Sequence, residues 1–159
     1  MTLETTRLRP EEWQRYRAIR LLALEEAPDA FGSTLERELA FTETDWRHRL
    51  REGCLVAVAV NDGRDVAVAV GAPYEGRAGL FGVWVAPEAR GLGAGRSVCT
   101  AVVDWAREGG YAEVVLDVGD HNGPAMRLYE SMGFERTGRT GSLPAPREHV
   151  TEHERLLRL

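Results

Sequence analysis

The chain has 159 residues, 43% of them hydrophobic and 28% charged. That is the size of one ordinary domain able to bury roughly 70% of its unfolded surface, so a single domain over 1–159 is expected. Its formal charge of −5 comes without a basic stripe or interleaved aromatics, which excludes a nucleic-acid partner, and the apolar runs at 54–60 and 66–72 are far too short to cross a bilayer, so no membrane partner is expected.

Residues 5–9 read as a short first strand. Pro10, Glu11 and Glu12 suit a first helical turn, where proline gives up only an orphan N–H and acids meet the positive dipole end. Trp13, Tyr16, Ile19 and Ala23 then recur at helical spacing. Pro28, Phe31 and Gly32 break that pattern, and Thr34 can cap a second helix that runs, with an interruption, through Leu35, Leu39, Trp46 and Leu50. Residues 55–60 and 64–74 alternate or run apolar around Asn61-Asp62-Gly63, which carries the Asp-Gly hairpin signal. Residues 80–86 form the next strand, with Gly82 marking a bulge. A helix from Gly93 to about Arg107 places Val98, Val102 and Trp105 on one face and ends at Gly109-Gly110. Residues 114–118 read as a strand and 122–132 as the last helix. Residues 134–140 and 151–159 read as final strands joined by a loop containing Pro144 and Pro146.

No basic segment followed by an apolar one opens the chain, so a cytoplasmic location is expected. Cys54 and Cys99 lie far apart and outside any C-x-x-C or H-x-x-x-H spacing, which predicts two reduced thiols and no metal.

The chemistry concentrates in two segments. Arg90-Gly91-Leu92-Gly93-Ala94-Gly95 joins an apolar strand to a helix start. Glycines at 91, 93 and 95 leave the backbone open to a ligand, and the helix offers unpaired N–H groups at a positive dipole end, so the segment predicts a bound anion such as a pyrophosphate. A G-x-G-x-x-G fingerprint counted from Gly91 fails at Arg96, and the absence of lysine excludes a P-loop. The second segment runs from Asn122 through Ala125, Leu128 and Tyr129 to Gly133-Phe134.

Arg-x-x-Gly-x-Gly after a strand ending Val-Ala-Pro-Glu, followed downstream by Asn-x-x-Ala-x-x-Leu-Tyr-x-x-x-Gly-Phe, resembles the GNAT superfamily of N-acetyltransferases. The resemblance implies an α/β fold with a single mixed, mostly antiparallel sheet of about six to seven strands, splayed at its centre and flanked by about four helices. It implies acetyl-CoA as co-substrate, with pantetheine against strand backbone near Trp84 and Val85. The pyrophosphate would lie on the amides of Gly91, Leu92, Gly93, Ala94, Gly95 and Arg96. Arg90 and Arg96 would serve as anion partners, and Asn122 would bond the cofactor or order a water. Tyr129 takes the place of a general acid, and a phenol of reference pKa about 10 does hold its proton at neutral pH.

The base stays open among Asp117, His121, Glu75 and water. Many family members carry a glutamate on the strand before the glycine loop, where this chain has Leu80-Phe81-Gly82-Val83-Trp84-Val85. The acceptor would be a primary amine on a small molecule or a peptide. Glu25, Glu26, Asp29, Glu36, Glu38, Glu43 and Asp45 face only Arg37 between positions 25 and 45, which fits either a cationic acceptor or a solvated helix face. The segment from Ala27 to Ser33 is similar to an acceptor-side loop of small-amine acetyltransferases in the superfamily. Homodimers are common among its members, and no residue here fixes one. The same motifs also fit a non-catalytic acyl-CoA sensor or a transferase using another acyl donor.

Overall fold

In the computed structural model, which describes residues 2–159, strand β1 spans Leu3–Arg7. It ends two residues before the expected position because a helical turn already starts at Pro10, with the Glu12 carboxylate accepting the Arg9 N–H at 3.1 Å. Helix α1 (Trp13–Glu26) follows and buries Tyr16, Ile19, Arg20, Ala23 and Leu24. The expected interruption then divides the next segment into two short helices. Thr34 caps α2 (Leu35–Leu39) and Thr42 caps α3 (Glu43–His48), each accepting the amide three residues on.

Strands β2 (Leu55–Asn61) and β3 (Arg64–Tyr74) form the expected hairpin. Asp62 and Gly63 both take positive φ, 51° and 76°, the mirror-image turn whose twist suits flanking strands. Glu75 and Gly76 repeat it at 50° and 77°. The strand that follows, β4 (Arg77–Val85), therefore begins earlier than residue 80. After it come α4 (Ala94–Glu108), β5 (Glu113–Gly119), α5 (Gly123–Ser131), β6 (Glu135–Ser142) and β7 (Thr151–Arg158).

All seven strands join one sheet in the order β1-β2-β3-β4-β5-β7-β6. Every neighbouring pair is antiparallel except β4 and β5, which α4 connects as the crossover that a parallel pair requires. The fold is the expected mixed sheet, with five α-helices where about four were expected. Val98, Cys99, Val102, Val103 and Ala106 of α4 are buried in the core against the alanine- and valine-rich central strands.

Two features open the sheet at its centre. The β4–β5 ladder consists of Ala78↔Val114 and Gly79↔Val115 and then stops. On the other side of β4, Gly82 and Val83 oppose the single residue Ala69, between the pairs Val70↔Phe81 and Val68↔Trp84. This is the bulge expected at Gly82, whose φ of +59° suits glycine. A bulge bends its strand, and here it lies where β4 parts from β5.

The helices on the α1 side are tied by one buried carboxylate. Glu38 is fully buried, correcting its expected place among solvent-facing acids. It accepts from Arg20 Nε (2.9 Å), Arg20 Nη2 (3.0 Å) and Arg49 Nη1 (2.8 Å), joining α2 to α1 and to the end of α3. Burial by itself would raise the Glu38 carboxyl, but the hydrogen bonds and charges of Arg20 and Arg49 outweigh it and hold the pKa at about 2, below the ordinary 4.5.

A depressed folded-state pKa gives stability that is complete above the unfolded value and is lost as pH falls toward the folded one. Stability measured by urea unfolding is therefore expected to fall between about pH 5 and pH 2, with on the order of 3 kcal/mol traceable to this group. Glu38→Gln should flatten that limb while costing about 3–5 kcal/mol at neutral pH, because two guanidinium groups lose their counter-ion. Equal acid limbs in both proteins would contradict this.

Candidate active site

The parted strands leave backbone groups without sheet partners. Ala86 donates its N–H to Val66 on the β3 side (2.8 Å). By alternation Val85 turns its N–H and C=O to the opposite edge, where β5 has already diverged. Its carbonyl there accepts from Arg90 Nε at 3.1 Å. Trp84 faces its backbone to β3, so of the two residues expected to offer strand-edge groups only Val85 does. Trp84 contributes its side chain instead, with the indole N–H 3.4 Å from a Glu26 carboxylate oxygen.

The glycine segment closes one end of this gap. Gly91 and Gly93 take φ of +81° and +87°, a backbone that side chains other than glycine rarely adopt. Gly93 is the N-cap of α4, so the first amides of a fifteen-residue helix lie at the mouth of the gap. Gly95 serves close packing, since a Cβ there would lie 3.2 Å from Val85 Cγ2 and 3.3 Å from Leu128 Cδ2. Opposite, Asn122 caps α5, accepting the Ala125 N–H at 3.3 Å. That bond takes one lone pair of its side-chain oxygen and fixes the orientation of the amide.

Together these elements enclose a cavity of about 800 Å3, walled by 26–30, 83–85, the glycine segment and the start of α5. Trp84, Val85, Arg90, Gly91, Gly93, Ala94, Gly95, Arg96, Asn122 and Tyr129 all line it. Leu92 does not, and it is 39% exposed on the outside of the loop. Tyr129 is buried on α5, its ring edge-to-face with Phe134 at 5.9 Å. Burial, and to a lesser degree the neighbouring Cys99 thiol, pushes the phenol well above its ordinary range. Burial likewise pushes Cys99 up to about 12. At neutral pH both groups are protonated.

Residues 13–134 match the sequence profile of the Acetyltransferase (GNAT) family. The chain belongs to the GNAT family. It is 42% identical over 66 residues to N-acetyltransferase 8 of Homo sapiens, a match spanning 42% of this chain and 29% of that protein. It is 44% identical over 57 residues to mycothiol acetyltransferase of Kocuria rhizophila, spanning 36% of this chain and 19% of that one. The match thus covers less than a third of either relative's length. A GNAT acetyltransferase from Streptococcus pneumoniae superposes with a TM-score of 0.82 over 99% of both chains at 15% identity, a likeness of fold.

Of the three side chains considered as bases in this GNAT domain, His121 lines the cavity, while Asp117 and Glu75 do not. The His121 ring lies against Gly119 at the end of β5, 2.7 Å from where a Cβ would stand. Asp117 is opposite Glu154 on β7. Partial burial and then the Glu154 carboxylate push the Asp117 acid up. Glu75 sits in the exposed hairpin turn within 3.5 Å of Arg77 and Arg139.

Two site residues lack a local signal in the sequence. Glu26, at the end of α1, lines the cavity and pairs with Arg90, so Arg90 already holds an anion supplied by the chain. Arg147, in the β6–β7 loop, donates through Nη1 to the carbonyls of Pro28 (2.5 Å) and Phe31 (2.6 Å) and through Nη2 to Ser33 (3.4 Å). One guanidinium thereby pins the 28–33 segment, whose first residues wall the cavity, to a loop more than a hundred residues away.

Arg147→Ala removes all three bonds. It is expected to lower stability by about 1–3 kcal/mol and to make 27–34 and 143–150 the first sites of limited proteolysis, both read against wild type. Unchanged cleavage at both loops would show that other contacts hold the wall.

Proposed function

We propose that this GNAT domain transfers an acetyl group from acetyl-CoA to a primary amine by direct attack within a ternary complex, with Tyr129 as general acid. One juxtaposition carries the reading: Val85 at the parted edge of β4, the start of α4 and Tyr129 all line the same cavity.

Each group has a task that its chemistry suits. The amides from Gly91 to Arg96 and the dipole of α4 take a pyrophosphate without a counter-charge having to be buried. Arg96 lies in the first turn of α4, within reach of the same anion. Arg90 is released to that anion when a phosphate displaces Glu26. The Val85 N–H, turned into the gap, stabilises charge developing on a thioester oxygen in the manner of an oxyanion hole. Bound in this cavity, acetyl-CoA supplies an activated acyl carbon and a thiolate leaving group.

In the transfer a carbon–nitrogen bond forms and the carbon–sulfur bond breaks. The amine loses one proton and the sulfur gains one. Tyr129, kept protonated by burial, gives its proton as the thiolate departs and is reprotonated from water. The amine proton leaves through His121, the base candidate that lines the cavity. The acids between 25 and 45 lend a cationic acceptor little support, since Glu38 is buried on two arginines, Glu26 pairs with Arg90 and Glu43 with Arg47.

Two variants test the assignment. Acetyl-CoA at about a hundred times its Kd is expected to raise the wild-type Tm by about 5–10 °C. Gly93→Asp, which sets a carboxylate in the anion cradle, should abolish that shift; retained protection would place the pyrophosphate elsewhere. Tyr129→Phe should lower kcat by about a hundredfold or more while leaving the KM for acetyl-CoA unchanged. A loss of tenfold or less would move the acid role to another group.

A further inference from the structure

A second cavity, of about 230 Å3, lies beside the first along the same helix and strand. Its walls include Arg20 on α1, Arg49, Arg51 and Cys54 between α3 and β2, and Phe81 and Gly82 on β4. Three arginines thus line one small space, and the carboxylate that pairs with two of them, Glu38, is already spent. Both of its oxygens are engaged by Arg20 and Arg49 from behind. Arg51 is exposed and, among the described residues, donates only to the backbone carbonyl of His48.

Arg20 is nine-tenths buried yet uses only Nε and Nη2 on Glu38. Its remaining nitrogen, Nη1, lies over the bulge of β4, 3.2 Å from where a Cβ on Gly82 would stand. Glycine at 82 therefore leaves a guanidinium edge open that any side chain would cover. One carboxylate among three arginines leaves two positive charges in excess around a space suited to a small anion. The planar forks of arginine match a carboxylate best, because they can bond both of its oxygens.

Gly82, in this cavity, is the neighbour in sequence of Val83, in the larger one. The Val85 N–H, assigned above to the thioester oxygen, is three residues along β4 from Gly82, about 10 Å of strand, a span bridged by an amino acid that carries its carboxylate on an extended chain. We propose that this cavity holds a carboxylate of the amine acceptor, making the acceptor a free amino acid or a similarly small amino-carboxylate. The proposal rests on the acetyl-transfer reading and deepens it. A protein N-terminus, whose α-carbonyl is an amide, would bring no counter-ion for the excess positive charge.

Cys54 in the cavity wall gives a readout independent of turnover. Cys99 is fully buried, so iodoacetamide should label Cys54 alone in the folded protein. Free amino acids are expected to slow that labelling, and the matching carboxamides, equal in size but without the carboxylate charge, are not. With acetyl-CoA present, mass spectrometry should find the acids acetylated in preference to the amides. Arg51→Gln, an exposed change that keeps the Glu38 clasp, should raise the KM for the best acid by about tenfold or more and narrow the preference for acid over amide by a similar factor. Equal protection by acids and amides, or none, would overturn the carboxylate subsite even if other amines are acetylated. Protection by acids without an acetylated product from any acceptor would uphold the subsite and refute the transfer.

Discussion

Strands β4 and β5 hydrogen-bond at two positions and then part, and the geometry of the cleft follows from that break. A parallel neighbour requires a crossover helix, so α4 must begin where β4 ends, and its unpaired amides come to the mouth of the gap. The bulge opposite Ala69 adds a residue to β4 and bends it at the point of departure. Backbone groups inside a fold are costly when unpaired. The Val85 carbonyl escapes that cost through Arg90, whose other end meets Glu26. The gap is thus held by the chain's own residues, with the Glu26 carboxylate as the anion that Arg90 meets.

A cleft made by withholding sheet bonds must take its rigidity from somewhere else. Two arginine clasps supply it from opposite sides. Glu38 gathers α1, α2 and the end of α3 around one charge, with Arg20 also 4.9 Å over the Phe31 ring and Arg49 4.8 Å over Phe41. Arg147 fastens the 28–33 segment to the β6–β7 loop through three carbonyls that no helix or strand satisfies. Both clasps converge on the wall that follows α1, which otherwise has only a short turn at Pro28–Ala30 to hold its shape.

The parts of this arrangement legible in the sequence are those governed by local backbone chemistry. The glycines at 91 and 93 announce positive φ, Asn61-Asp62-Gly63 announces a hairpin, Thr34 announces a cap, and Asn122 through Tyr129 carries a family pattern that the fold places at the cleft. What escaped depends on contacts between distant segments. Nothing near Glu38 in sequence distinguishes it from the exposed acids around it, because its partners Arg20 and Arg49 come from other helices. Arg147 meets residues more than a hundred positions earlier, and Glu26 finds its partner across the cleft. The Leu92 side chain faces solvent while its neighbours line the cavity, an outcome that the run of alternating glycines does not encode. Asp117 does alternate out of the buried face of β5, as its spacing suggests, but the residues it meets are Glu154 and Glu152 on β7, not the cavity.

The electrostatics of the acceptor side reverse what composition suggests. A chain of net charge −5, with seven acids and one arginine between 25 and 45 except for the partners supplied from outside that window, has the outward profile of a protein that attracts cations. Folding spends the relevant acids internally, and the guanidinium groups drawn in to neutralise Glu38 exceed it in number. Part of that excess lies beside Gly82, where the missing side chain leaves Arg20 Nη1 uncovered. A device that braces the helices thereby also sets the sign of the field next to the cleft, so the same buried carboxylate couples the stability of the wall to the kind of molecule that can approach it.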